Sequence, residues 1–368
     1  MALSGYIMVG GFLGAGKTTA MLRLADHLAG RGMRVGLITN DQSQGLVDTS
    51  VVEARGYPVQ EITGGCFCCR FNSLTDAAER LTRDARPDVF LAEPVGSCTD
   101  LRATVQYPLS RMYGDQYRIA PLSVLVDPHR ALRVLGLEPG RSFSPKVLYV
   151  YNKQLEEADV IVVNKIDAIA EARVEALRAA LRDRYPAAAV VAMSARTGAN
   201  LEEWFATIVD GTLAARPAMD VDYDTYAEGE ALLGWLNATA RVAAADGFDG
   251  NRLLEELAAD IHAGVAADGV EIAHLKMTLA PGDGSDIAAV NLVRTDGRPE
   301  LSHRLADEAL EAELIVNLRA EGDPARLRAV VEAALASVAS AHAASAEVMH
   351  CEHFRPARPE PTHRLATM

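Results

Sequence analysis

The sequence predicts an α/β chain: a parallel sheet with helices on both faces over residues 1–213, then a smaller α+β C-terminal domain over 228–345. Three observations carry this. Up to residue 213, short β-branched runs alternate with longer stretches whose apolar residues recur at three- and four-residue spacing. Periodicity lapses over 214–227, around Arg216-Pro217 and the acidic Asp220-Val221-Asp222-Tyr223-Asp224, as expected of a linker. Beyond it, strands are interrupted by two long helical patterns, which suits a helix layer on an antiparallel sheet. Residues 346–368 read as a tail containing Pro and Arg.

In the first part, strands are expected at Tyr6–Val9, Val35–Thr39, Val59–Ile62, Val89–Ala92, Leu122–Val126, Val160–Val163 and Val190–Met193. Helices are expected at Lys17–Ala29, Thr75–Ala85, Glu171–Arg184 and Leu201–Leu213. In the second part the strands are Ala231–Val242, Glu271–Leu279, Ile287–Val293 and Glu313–Leu318, with helices at Asn251–Ala267 and Pro324–Ala343.

Composition bounds the function. The 368 residues are 49% hydrophobic and 23% charged, enough to bury a large core and too apolar for global disorder. A net charge of -14 repels phosphate backbones and anionic lipid, so nucleic acid and membrane surfaces are not expected partners. The longest apolar runs, such as Val160–Val163, fall far short of the roughly 20 residues that span a bilayer. Met1-Ala2-Leu3-Ser4-Gly5 leads straight into a strand, so no secretion signal is expected. Five cysteines are too few for a disulfide scaffold, and they read as reduced thiols or metal ligands in a cytoplasmic protein.

The first strand runs into Gly10-Gly11-Phe12-Leu13-Gly14-Ala15-Gly16-Lys17-Thr18-Thr19 and then a helix. This is the G-x-x-x-x-G-K-T loop of a P-loop NTPase in its strand-loop-helix context. Its glycines let successive N–H groups face phosphate oxygens, and the helix N-terminus adds its dipole. Lys17 is placed to neutralise the β- and γ-phosphates, and Thr18 to present its hydroxyl to Mg²⁺. Of the five lysines, Lys17 and Lys165 sit inside nucleotide motifs in a chain that otherwise prefers Arg.

Asn164-Lys165-Ile166-Asp167 follows the strand Val160–Val163. The Asp167 carboxylate matches the two donors on the N1–H and N2–H₂ edge of guanine, which adenine lacks. Asn164 ties this loop to the phosphate loop, the Lys165 stem covers the base, and a backbone N–H at Ser194-Ala195 meets the guanine O6. GTP is therefore preferred over ATP. Glu93-Pro94-Val95-Gly96 ends another strand, putting a carboxylate where Mg²⁺ is held and a glycine N–H where the γ-phosphate is sensed. Asp41, in the polar loop Asn40-Asp41-Gln42-Ser43-Gln44, is a second candidate for a Mg²⁺ or water contact, with a capping role as the alternative. No arginine finger is assignable, so hydrolysis without a partner is expected to be slow, on the order of 10⁻⁴ to 10⁻² s⁻¹.

Gly64-Gly65-Cys66-Phe67-Cys68-Cys69 places three thiols in four residues. Cys66, Cys68 and Cys69 form a ligand set for a thiophilic ion such as Zn²⁺ or Cu(I). The fourth position is left to water, Glu61 or a second chain, so a nucleotide-dependent homodimer is conceivable. A redox pair and simple packing are the competing readings, although C-x-C-C is not the C-x-x-C of thiol oxidoreductases. Cys98 follows Glu93 closely and either approaches the cluster or packs in the core. His350, Cys351 and His353 offer further soft ligands but read first as scattered tail residues, and His262, His274 and His303 stand singly.

These motifs resemble the CobW/HypB/UreG family of P-loop GTPases, and the Gly-Gly-Cys-Phe-Cys-Cys loop is most similar to its CobW branch. Thr39-Asn40-Asp41 is more similar to the UreG form of the first switch. The resemblance implies Mg²⁺-dependent GTP hydrolysis to GDP, coupled to delivery of a metal or metal cofactor to a client metalloenzyme. By motif match it places phosphates at Gly11 to Thr19, the second switch at Glu93 and Gly96, guanine at Asn164 and Asp167, and the metal at Cys66, Cys68 and Cys69. Zinc is the expected metal, with cobalt or iron as alternatives. The rival readings are a GTP-dependent regulator or cofactor-insertion chaperone with a structural zinc, and a P-loop kinase.

Overall fold

A computed structural model describes residues 3–40, 55–282 and 286–368. The chain divides into two compact units: residues up to 229 together with Arg358–Met368, and Glu230–Ala357.

The first unit is a parallel sheet. Its strands are β1 (Ser4–Gly11), β2 (Val35–Asn40), β3 (Val59–Ile62), β4 (Val89–Glu93), β5 (Tyr117–Ile119), β6 (Ser123–Val126), β7 (Val160–Val163) and β8 (Ala189–Ala192). The order is β3-β2-β4-β1-β6-β7-β8, with β5 beside the start of β1, and every pairing is parallel. Covering helices are α1 (Lys17–Gly30), α2 (Phe71–Asp84), α3 (Tyr107–Tyr113), α4 (Pro128–Val134), α5 (Pro145–Glu157), α6 (Glu171–Arg184) and α7 (Leu201–Val209). The central strands are buried throughout, which is why they read as unbroken apolar runs rather than alternating ones. Met8, Val9, Leu91, Val162 and Trp204 are fully buried in this core.

A parallel sheet ends all its strands at one edge, and ligands of such sheets bind outside those carboxyl ends. Here that edge carries Gly11, Asn40, Ile62, Glu93, Val126 and Val163. Register makes them neighbours: Gly11 pairs with Leu125, Thr39 with Glu93, Asn40 with Ile62 and Val126 with Val163.

Where a linker was expected, helix α8 (Tyr223–Leu232) begins. The Asp222 carboxylate accepts hydrogen bonds from the Asp224 and Thr225 N–H groups, so the acidic stretch starts a helix.

The second unit is an antiparallel sheet, ordered β12-β11-β10-β13-β9-β14. Its members are β9 (Leu233–Phe248), β10 (Ile272–Pro281), β11 (Ala288–Leu292), β12 (Glu300–His303), β13 (Ala309–Glu321) and β14 (Ser345–Phe354). Helices α9 (Gly250–Ala267) and α10 (Pro324–Ala341) pack on it through Leu254, Leu257, Ile261, Leu327 and Val331, against Leu236, Met277, Leu314 and Val316. The expected tail from 346 thus opens as a strand paired with β9. Polar, mostly exposed β14 carries no burial pattern by which a sequence announces a strand. Among the described residues no helix is long and apolar enough to cross a membrane.

Candidate functional site

The phosphate loop leaves β1 at Gly11 and enters α1 at Lys17. Gly11, Gly14 and Gly16 have φ of 130°, 77° and 88°, a backbone region that side chains disfavour. Space forbids side chains too: a Cβ on Gly11 would lie 2.3 Å from the Leu125 carbonyl oxygen.

Side-chain donors hold three successive loop carbonyls. Arg130 of α4 donates to Leu13 O (2.8 Å), the Lys165 Nζ to Gly14 O (2.7 Å) and the Asn164 Nδ2 to Ala15 O (2.9 Å). With those oxygens turned to protein donors, the loop is held in a curl of the kind an anion requires, closed within itself by the Ala15 N–H donating to Phe12 O (3.2 Å). Arg130 is itself buried, its guanidinium 5.0 Å from the ring centres of both Phe12 and Phe143. Buried Asp127, at the end of β6, accepts from Lys165 Nζ (3.1 Å) and caps α4 through the Arg130 N–H (3.1 Å).

The base-reading loops form one assembly with this one. The Asn164 Oδ1 accepts from the N–H groups of Lys165 (2.8 Å) and Ala195 (3.0 Å), and Arg23 of α1 donates to the carbonyls of Ala195 and Arg196 (2.9 Å each). Lys165 takes a left-handed backbone, φ 58°. The Ser194 hydroxyl donates to Asp167 Oδ1 (2.6 Å), and the exposed Arg196 pairs with the other oxygen. Burial pushes the Asp167 carboxyl up, but bonds from Ser194 and Arg196 outweigh it and hold the group ionised, below its ordinary range.

Lys17, Thr18 and Glu93 meet at the mouth of the phosphate loop, all buried. The Thr18 hydroxyl donates to Glu93 Oε1 (3.1 Å), and Lys17 Nζ lies 3.9 Å from the same oxygen. Thr19 is exposed on the first turn of α1. A hydroxyl and a carboxylate on one point are hard oxygen donors suited to Mg²⁺. Gly96 packs directly on the phosphate loop, where a Cβ would lie 3.0 Å from the Leu13 nitrogen. Gln154 of α5 fixes this second loop by donating to the carbonyls of Gly96 (2.9 Å) and Cys98 (2.8 Å). Asp41 lies outside the described residues.

The cysteine loop follows β3. Asn40, the last residue of β2, donates through Nδ2 to the carbonyls of Ile62 (2.9 Å) and Gly65 (2.7 Å), so the end of β2 holds the start of this loop. Cys69 and Arg70 N–H groups close a turn onto the Cys66 carbonyl. The sulfur atoms stand 2.7 Å apart for Cys66 and Cys68, 3.3 Å for Cys66 and Cys69, and 3.7 Å for Cys68 and Cys69, all as free thiols. Hydrogen bonds from Cys68, Cys69 and Cys98 hold the Cys66 thiol well below its ordinary range. Bonding to Cys66 and burial push Cys68 up, and bonding to Cys66 lifts Cys69 to about 12. Among the described residues this is the group of three ligand atoms close enough to share an ion.

Sequence reasoning missed the C-terminal segment. It runs along the cysteine loop: Thr362 N–H donates to Cys68 O (2.9 Å), its hydroxyl to Cys69 O (3.1 Å), and Glu360 N–H to Cys69 Sγ (3.2 Å). His363 stacks edge-on against Phe71 at 5.0 Å. No local pattern announces such a return of the chain. Asp127 and Arg130 were also missed, although Asp127-Pro128 after a strand is a helix-start signature. The single histidines find local places: His262 bonds to Thr295 O, His274 is buried in β10, and His303 is exposed in β12. Cys351 packs against the second unit's core.

The chain is similar to the zinc chaperone CobW of Sinorhizobium sp., at 28% identity over 191 residues, 46% of this chain and 53% of that protein. It is 29% identical over 162 residues to the zinc chaperone YeiR of Escherichia coli K12, covering 44% and 46% of the two chains. The chain thus spans about half the length of the curated relatives it matches. Among solved structures, HypB from Archaeoglobus fulgidus aligns with a TM-score of 0.39 at 23% identity, over 55% of this chain and 87% of that one. The Zn(II)-bound YjiA GTPase from E. coli aligns at 0.37 and 15% identity, over 90% and 99%. The family model for the CobW/HypB/UreG nucleotide-binding domain matches residues 6–192, and the chain belongs to this family.

Proposed function

We propose that the protein is a GTPase metallochaperone that couples its nucleotide state to holding and handing on a thiophilic metal, zinc first, to a client metalloenzyme. The observation that carries this reading is the Asn40 bridge. A strand end beside the nucleotide edge donates two hydrogen bonds that fix the start of the thiol loop, so a shift at one is felt at the other. The curated relatives named as zinc chaperones support zinc as the cargo.

In this reading the N–H groups from Gly11 to Thr19 receive the phosphates and Lys17 neutralises them. Thr18 and Glu93 would hold Mg²⁺, which would supply charge neutralisation for the phosphates. Gly96, with no side chain between its backbone and the phosphate loop, reports the γ-phosphate. Asn164, Lys165 and Asp167 read guanine, with Ser194 orienting the Asp167 carboxylate; the Ala195 N–H, expected at O6, donates instead to Asn164 Oδ1 (3.0 Å). Arg196 must swing aside for the base, and its side chain is exposed. Cys66, Cys68 and Cys69 hold the cargo.

Two measurements test this. Replacing Asp167 by Asn exchanges two acceptors for one acceptor and one donor, so preference moves from guanine to xanthine nucleotides; unchanged GTP affinity would refute the base assignment. If metal is cargo, Zn²⁺ affinity differs at least about tenfold between the GDP and GTP-analogue states, about 1.4 kcal/mol of coupling. Equal affinities would make the zinc structural and the protein a regulator.

A further inference from the structure

Helix α5 reaches both the phosphate loop and the loop after β4. Tyr151, Gln154 and Glu157, all buried, recur at three-residue spacing and so share one face of it. Tyr151 stands edge-on against Phe12 of the phosphate loop, with ring centres 5.6 Å apart. Gln154, 2% exposed, commits both hydrogens of its amide to the other loop, at Gly96 O (2.9 Å) and Cys98 O (2.8 Å). Glu157 takes the far end of that loop, accepting from the Thr99 hydroxyl (3.2 Å) and the Arg102 N–H (3.0 Å). One rigid helix face therefore fixes the loop after β4 against the element that cradles phosphate.

Gly96 is the point where this support matters for chemistry. It must be glycine to lie against the phosphate loop, since a Cβ there would be 3.0 Å from Leu13 N. Yet glycine has the widest backbone freedom of any residue, and an N–H that is to meet a γ-phosphate cannot be left to wander. A hydrogen bond on the Gly96 carbonyl, with a second two residues on, removes that freedom. Gly96, Ser97 and Cys98 are all buried, so bulk water is in no position to stand in for the lost amide.

We infer that Gln154 is a positioning residue for γ-phosphate recognition, holding Gly96 against the phosphate loop so that the protein tells GTP from GDP. This rests on the reading that Gly96 reports the γ-phosphate. Gln154 acts through the loop backbone rather than on the nucleotide, and GDP, which lacks the γ-phosphate, draws nothing from it.

Fluorescent-nucleotide titration with GDP and with a non-hydrolysable GTP analogue tests this on the parent, Gln154→Met, Gln154→Glu and Gly96→Ala. Gln154→Met keeps the length of the side chain and loses both donors. Its affinity for the GTP analogue is expected to fall about tenfold, while its GDP affinity stays within about twofold. Gln154→Glu has at most one hydrogen to donate and is expected to lie between the parent and Gln154→Met, which also covers a methionine that this buried polar position does not accept. Equal losses for both nucleotides, or parental affinities, would overturn the assignment, because a side chain needed only for folding does not discriminate between them. Gly96→Ala separates the two readings, since its Cβ forces the loop away from Leu13 and is expected to abolish the preference. Discrimination lost in Gly96→Ala but parental in both Gln154 variants refutes Gln154 and leaves Gly96 as the sensor. Parental discrimination in Gly96→Ala refutes the sensor and this inference with it.

Discussion

Asp127 carries more of the site than its unremarkable position suggests. Burial alone raises its carboxyl, but the charges of Lys165 and Arg130 and the bond from the Arg130 N–H bring it down to about 2 from an ordinary 3.8. A folded-state value below the unfolded one contributes stability that is complete above the unfolded value and disappears as pH falls through the folded one. A shift of this size is worth about 2 kcal/mol near neutrality, with about half gone by pH 3. Asp127→Asn is therefore expected to unfold more easily by about 2 kcal/mol at neutral pH, with the gap to the parent shrinking on acidification. Urea titrations of both proteins at neutral pH and near pH 3 measure this. A gap that does not change with pH would mean that the carboxylate's charge is not what stabilises the loop.

At the scale of elements, legibility followed burial and pattern. Strands β3 and β7 and helix α6 were read to the residue: β7 is a continuous β-branched run, α6 carries an amphipathic repeat, and β3, Val-Gln-Glu-Ile, is bounded by β-branched residues between turn signals. The π-helical turn Arg102–Gln106 that leads into α3 gave no such pattern, since Arg102, Thr104 and Gln106 are buried alongside Ala103 and Val105. A helix buried all round with polar residues has no apolar stripe to detect. The phosphate, guanine and cysteine motifs were legible because each is a contiguous run in the sequence. What was not legible is what holds them, namely Arg130, Gln154 and the C-terminal segment, which arrive from distant parts of the chain. Arg130 offers a test of that support. It is the donor to Leu13 O and stacks between two rings, so Arg130→Leu loses a buried charge-assisted bond and two cation–π contacts. GDP affinity is expected to fall about tenfold or more, about 1.4 kcal/mol, with secondary structure retained. Fluorescent-nucleotide titration alongside circular dichroism measures both; unaltered affinity would show that Lys165 and Asn164 suffice to shape the loop.

Over the whole molecule, the chain leaves its first unit at residue 229 and comes back to it at Arg358. The returning segment binds the cysteine loop and the loop after β4. Thr362 and Glu360 hold Cys68 and Cys69, while Arg364 pairs with buried Asp100 (2.7 Å), two residues past Cys98, and Tyr223 donates to the same carboxylate (2.7 Å). Leu365 N–H adds a bond to Ala103 O (2.9 Å). A clasp of this kind shields the thiols and keeps the two loops in register, and a backbone N–H on a ligating sulfur steadies the thiolate. A chain ending at Ala357 is therefore expected to release Zn²⁺ to a chelator about tenfold faster, since at least one buried bond network worth about 1.4 kcal/mol is lost. Its Cys69 also becomes more reactive toward a thiol reagent, while GDP affinity is expected to change far less, because the bonds that shape the phosphate and guanine loops come from Arg130, Asn164 and Lys165. Arg364→Ala, which removes the anchor to Asp100 and a bond to the Met219 carbonyl (2.9 Å), is expected to fall between the parent and the truncated chain. Stopped-flow chelation and thiol titration of the three proteins decide the matter: release rates that do not change with the segment would leave the cysteine loop to hold the metal without the clasp.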